Sequence, residues 1–263
     1  MYYLFILAIA PVIFLLSYVK KKDPNPEPKN LLKKIFILGC ISVIPAIALE
    51  MACKALFIGE KEIESFSDVF FGVALIEEFV KWIIVYVICF KNKHFDETYD
   101  AIVYAAYSAL AFACIENIGY VLLDEDGAGL FVGILRAFTA VPGHLFDGVI
   151  MGYYFAKARS AKAQNKSVFG LLFCSLLMPS IIHGIYDYLL GFGEVLPFLI
   201  WIVFFIGLAI ICVSLIKSAA KNNVAISDTI TTQATQPASQ VSCDWGAPTE
   251  QQSNPANQTS TQA

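Results

Sequence analysis

The segment Phe70 to Phe90, FFGVALIEEFVKWIIVYVICF, constrains the fold more than any other stretch of the chain. It is an apolar run of about 20 residues, the length that crosses a hydrocarbon core as a helix. Yet Glu77, Glu78 and Lys81 stand at its middle. A charge at that depth costs roughly 2.5 to 3.5 kcal/mol on insertion scales, so these groups require partners or water, and lipid supplies neither. Other parts of the chain must close over this segment.

Seven apolar runs can be marked, at Tyr2 to Val19, Ile35 to Ile58, Val69 to Phe90, Ala101 to Leu123, Leu130 to Ala156, Val168 to Leu190 and Val195 to Ile216. With 57% hydrophobic and 15% charged residues among 263, the chain falls in the membrane class. The predicted fold is all-α, a polytopic membrane helix bundle of about seven transmembrane helices. Lysines crowd the first, third and fifth loops and the start of the tail, whereas the second, fourth and sixth loops are acidic. By the positive-inside rule the N-terminus is expected outside and the C-terminus in the cytoplasm. The first run has its lysines after it rather than before it, which fits an uncleaved span and not a signal peptide. The net charge of −4 is sorted by loop, and nothing points to nucleic-acid binding. Seven cysteines form no CxxC pair, and the first six lie in or beside apolar runs as small hydrophobes. Residues 1–218 are expected to form the membrane domain, with its motif-bearing core at 66–191. Residues 219–263, rich in Ser, Thr, Gln and Asn, are expected to form a disordered polar cytoplasmic tail.

The first and seventh runs contain no ionisable residue, so the polar groups concentrate between them. Glu50 and Lys54 lie in the second, Glu77, Glu78 and Lys81 in the third, Glu116 and Asn117 in the fourth, Arg136, His144 and Asp147 in the fifth, and His183 and Asp187 in the sixth. A protein that only had to pack would not carry them, and the third to sixth helices are expected to surround one polar cavity. Helical spacing lets Lys81 pair with Glu77 or Glu78, and Glu50 with Lys54. Asp187 can orient His183, and Asp147 can orient His144. Pro142 and Pro179 precede the two histidines and are expected to open the backbone beside them. Carboxylates and imidazoles at one depth suit a metal with activated water, or a metal-free general base acting on water. The same groups also serve proton-coupled transporters, the rival class, although no internal repeat between the two halves supports it.

Four motifs carry a family resemblance: EExxK at Glu77, Glu78 and Lys81; FxxxEN at Phe112, Glu116 and Asn117; a PGH-containing span with His144; and HGxYD from His183 to Asp187. In this order, over roughly Val69 to Leu190, they resemble the PrsW family of bacterial intramembrane proteases. That family is related to the CAAX prenyl endopeptidases and bacteriocin-processing proteases. Glu116 departs from the wider superfamily, which has the histidine of FxxxH there, and the chain has no HExxH. The resemblance implies an endopeptidase of the bacterial plasma membrane, acting in the lipid bilayer on a membrane-anchored protein such as an anti-sigma factor, in a site-1-type step of a stress response. It implies that Glu77 and Glu78 activate water and that His144 and His183 act as ligands or as water- and oxyanion-positioning groups. Lys81, Glu116, Asn117, Asp147 and Asp187 would support them. A zinc ion on Glu78, His144 and His183, or a metal-free glutamate mechanism, are both consistent with it.

Overall fold

The computed structural model describes residues 2–58, 65–122 and 128–226. The acidic fourth loop, most of the second and the tail from residue 227 onward, with Cys243, lie outside the described residues. Among the described residues the chain is helical and contains no strand, only an isolated antiparallel bridge between Glu97 and Ala225. The helices are α1 (Tyr2–Lys21), α2 (Lys29–Ile41), α3 (Val43–Cys53), the short α4 (Phe66–Val69), α5 (Leu75–Ile84), α6 (Asp100–Leu122), α7 (Gly129–Phe138), α8 (Ala140–Ala163), α9 (Phe169–Gly191) and α10 (Val195–Lys221). Six helical stretches are long and apolar enough to cross a membrane. A seventh runs without a break from Phe66 to Cys89, through α4, a π-helical turn at Phe70–Ala74, α5 and a second π turn at Val85–Cys89. Its three central charges set it apart from the other six.

The molecule is inverted relative to a soluble bundle. Phe14, Ile44, Phe57, Phe138 and Val203 all project outward, an apolar exterior that only a bilayer matches. Its centre is α6, buried on nearly every side and rich in alanine from Ala101 to Ala113. Small residues let backbones approach closely where lipid provides no hydrophobic drive between helices. Gly148 and Gly152, one turn apart on α8, face α6, and a Cβ at Gly152 would lie 2.6 Å from Ile102 Cα and 2.7 Å from the Ala101 carbonyl oxygen. On another face of α6, Gly39 of α2 brings that helix against Ser108 and Ala111.

Two apolar runs are not single helices. The run at 130–156 breaks at Thr139, whose φ of −123° and ψ of −76° separate α7 from α8. Pro142 consequently sits in the first turn of α8 rather than inside a helix, where its missing N–H leaves no bond unmade. Pro179, as expected, lies inside α9, one turn before His183. The run at 35–58 divides into α2, α3 and a π turn at Lys54–Ile58.

The lysine-rich segments meet at one end of the bundle. Residues 222–226 fold back on the loop before α6: Ile226 N–H donates to the Asp96 carbonyl at 2.7 Å, and Asn223 Oδ1 accepts from Tyr99 N–H at 3.0 Å. The Asn25 side chain of the first loop donates to Glu97 at 2.5 Å, and Arg159 of α8 donates to the Phe95 carbonyl at 3.1 Å. Within this end Glu27 accepts from the Tyr104 hydroxyl, and both Glu27 and Asp23 are largely buried. Burial pushes the Glu27 carboxyl above its ordinary 4.5, against the opposing Tyr104 hydrogen bond. Burial likewise pushes Asp23 above 3.8. Groups with raised folded-state values bind protons more tightly folded than unfolded, so their contribution to stability falls as pH rises through and above the ordinary values. The double variant Asp23→Asn/Glu27→Gln is therefore expected to melt progressively above wild type as pH is raised from 4 to 8. A difference that stays constant over that range in thermal melts would exclude burial of these charges as its cause.

Candidate active site

The continuous third span forces the geometry of the site. Glu77 and Glu78 are adjacent, so they project about 100° apart on α5, and Lys81 follows one turn later, where it can reach both. Its Nζ lies 3.0 Å from Glu77 Oε2 and 2.8 Å from Glu78 Oε1. The two carboxylates differ in what else they meet. Glu78 is sealed, with Oε1 also 3.0 Å from His183 Nδ1 and Oε2 buried without a hydrogen-bond partner. Glu77 lines two cavities.

The other motifs converge on this pair. His144 of α8 places Nδ1 3.0 Å from Lys81 Nζ and Nε2 2.7 Å from Glu116 Oε2 of α6. Because an ammonium only donates, His144 Nδ1 accepts, and its proton sits on Nε2 facing Glu116. Arg136 Nη2 of α7 forms an ion pair with the same carboxylate, 3.1 Å from Glu116 Oε2, without hydrogen-bond geometry. Arg136 Nε donates to Asn117 Oδ1 at 2.9 Å, and Asn117 Nδ2 donates to the Ala8 carbonyl of α1 at 2.9 Å. On α9, His183 Nε2 stands 3.2 Å from Asp187 Oδ2 and 3.8 Å from Glu77 Oε2. One network thus runs from Arg136 through Glu116, His144, Lys81 and Glu78 to His183 and Asp187, across five helices.

Each predicted site residue lies in or against this network, with two differences in pairing. Asp147 does not face His144; its Oδ2 is 3.9 Å from His183 Nδ1, because the side of α8 carrying it packs on α9. Glu50 makes no ion pair with Lys54; it borders the second cavity, and Lys54 is exposed in the π turn. Reasoning from charge did not single out Tyr120 and Tyr186. Tyr120 lines both cavities beneath the Arg136 guanidinium, which lies 4.0 Å from its ring centroid, and Tyr186 lines the first. The only available signal for Tyr186 was its place inside HGxYD.

The first cavity, about 510 Å³, is lined by Glu77, Glu116, Arg136, His144, Asp147, His183, Tyr186 and Asp187 among apolar side chains. The second, about 580 Å³, has Val43, Ala46, Ile47, Phe112 and Ile115 around Glu50, Glu77 and Glu116. Glu77, Glu116, Tyr120 and Val132 are common to both. For a metal, Glu77, Glu78, His144 and His183 bring donor atoms within 4.8 Å of one another. Two carboxylates and two imidazoles suit zinc, and the orphaned Glu78 Oε2 is a further free donor. The residues fit the ion in kind and spacing, although Lys81 occupies three of the donors.

An all-helical, multi-pass membrane protein with a carboxylate–imidazole cluster opening on cavities among its helices has the groups that a membrane-embedded hydrolase requires. Residues 27–213 match the family described as PrsW family intramembrane metalloprotease. The chain is 38% identical to Protease PrsW of Oceanobacillus iheyensis over 202 residues, covering 74% of this chain and 89% of the relative. It is 36% identical to Protease PrsW of Bacillus subtilis over 203 residues, covering 75% and 89%. To that of Clostridioides difficile it is 35% identical over 188 residues, covering 71% and 79%. No solved structure matches the chain significantly. The chain belongs to the PrsW family of intramembrane proteases, and it is a peptide hydrolase of the bacterial membrane.

Proposed function

We propose that this protease cleaves a membrane-anchored protein using water activated by Glu77. The observation that carries the reading is the division of labour within the glutamate pair: Glu78 is sealed against Lys81 and His183, whereas Glu77 is held by the same lysine yet lines both cavities. Water beside Glu77 gives up a proton to its carboxylate as the water oxygen bonds to the scissile carbonyl carbon. Collapse of the tetrahedral centre breaks the C–N bond. The leaving nitrogen takes a proton from His183, whose Nε2 lies between Asp187 and Glu77, and the proton on Glu77 restores the imidazole. Fixed charge from Arg136 at the same cavity favours the developing oxyanion. The second cavity, apolar and sharing Glu77, suits a hydrophobic side chain next to the scissile bond. As an alternative to this metal-free route, Glu77, Glu78, His144 and His183 would together hold a zinc ion in place of Lys81, and the ion would polarise the carbonyl and acidify water.

A single-span membrane protein such as an anti-sigma factor is the substrate class that this site and the family favour. The test is incubation of the purified, reconstituted protein with a panel of single-span substrates, with cleavage read by mass and solute flux measured in the same proteoliposomes. Cleavage within or beside the span supports the reading. Flux without cleavage would replace it with the transporter alternative.

A further inference from the structure

Lys81 lies where two kinds of cation chemistry exclude one another. An ammonium has three N–H donors and no acceptor. Here all three are committed, to Glu77 Oε2 at 3.0 Å, Glu78 Oε1 at 2.8 Å and His144 Nδ1 at 3.0 Å. The side chain is fully buried, with the Phe112 ring centroid 4.2 Å from Nζ. Its backbone is held as well, since Ser108 Oγ donates to the Lys81 carbonyl at 3.0 Å. These three acceptors belong to three of the four residues grouped closely enough to share a metal. His144 shows the conflict most directly. Its Nδ1 lone pair is taken by Lys81 and its Nε2 faces Glu116, so it has no lone pair to give a metal while Lys81 stays. Two cations among the same carboxylates at this spacing would also repel strongly beside a lysine that is fully buried.

We propose that Lys81 is a built-in counter-cation that competes with a divalent metal for the lone pairs of Glu77, Glu78 and His144, so that a metal enters only as the ammonium withdraws. In the metal-free protein the lysine bridges the two glutamates, offsets one of their charges and holds them in register. With a metal bound the lysine is displaced and the two histidines become ligands. The inference rests on reading this cluster as the hydrolytic site, but the competition itself is measured without turnover.

The experiment uses the full chain purified in detergent, wild type beside Lys81→Met, with zinc affinity from equilibrium dialysis and metal analysis. Lys81→Met is expected to bind a single zinc ion at least about tenfold more tightly than wild type. Its melting temperature is expected to drop in chelator and to recover when zinc is added, because a buried carboxylate pair without a cation is costly. Wild type is expected to melt at the same temperature with and without chelator. Zinc affinity in Lys81→Met equal to or weaker than wild type overturns the proposal, and so does a wild-type protein that loses its fold on chelation. The wild-type chelation measurement stays decisive if the variant does not fold. Cleavage assayed on the same samples separates the two readings: failed competition with intact cleavage removes only the role of Lys81, whereas competition without any cleavage removes the protease mechanism.

Discussion

Glu77→Gln is expected to lower the rate of substrate cleavage by about 10²- to 10⁴-fold, the range that a positioned general base contributes. The substitution keeps the shape of the side chain and an oxygen that accepts from Lys81 at the 3.0 Å position, so the helix contacts persist. On the proposed mechanism, what it removes is the group that takes a proton from water in the cavities that Glu77 lines. Thermal stability should stay close to wild type. Glu78→Gln should behave differently. Its carboxylate is fully buried and serves both Lys81 and His183, so neutralising it weakens the centre of the network and should lower the melting temperature more than Glu77→Gln does. Purified protein, a cleavable single-span substrate and thermal melts on each variant are sufficient to read this contrast. Wild-type turnover by Glu77→Gln would end the assignment of Glu77 as the base.

Gly152→Val should be nearly as damaging to activity, from a position remote from the network. A Cβ there would sit 2.6 Å from Ile102 Cα and 2.7 Å from the Ala101 carbonyl oxygen, well inside the 3.4 Å at which ordinary contact begins, and both obstacles are backbone. No side-chain rotation relieves that overlap, so α8 must move away from α6. Overpacking of this kind costs about 1–3 kcal/mol, occasionally more. His144 lies two turns along the same helix and bridges Lys81 of α5 to Glu116 of α6. A shift near 1 Å in a catalytic constellation costs about 100-fold in rate. The expected result is a lower melting temperature and a roughly 100-fold loss of cleavage. Gly207→Val on α10, where a Cβ would meet nothing within 4 Å, is the control and should change neither. If Gly152→Val matched that control, the close α6–α8 crossing would not be what positions His144.

Much of this was legible in the chain itself, and the reason is the cost of charge in lipid. Runs long enough to span a bilayer declare themselves by hydropathy, and the few that carry Glu, His, Arg or Asp declare a shared interior because each such group must find a partner. That logic pointed to Glu77, Glu78, Lys81, Glu116, His144 and His183 before any helix was placed, and the structure brings their side chains together. Spacing along one helix was equally informative where partners share it, as for Glu77 and Lys81 or His183 and Asp187.

Contacts between helices were not legible in this way. Helical arithmetic assigned Asp147 to His144 because they are neighbours on α8, but the packing of α9 turns Asp147 to His183. The break at Thr139 left no trace in an apolar run, since hydropathy is blind to φ and ψ. That Gly148 and Gly152 press α8 against α6 was equally invisible, because it depends on which helix lies opposite them. The folding of residues 222–226 onto the loop before α6 had no periodic signal to announce it. Above all, the sequence by itself determined that the lysine and the glutamates share a turn of one buried helix. Only the tertiary structure decided that the third hydrogen bond of Lys81 goes to a histidine 63 residues away, because that choice depends on how far apart two helices sit and not on the residues between them.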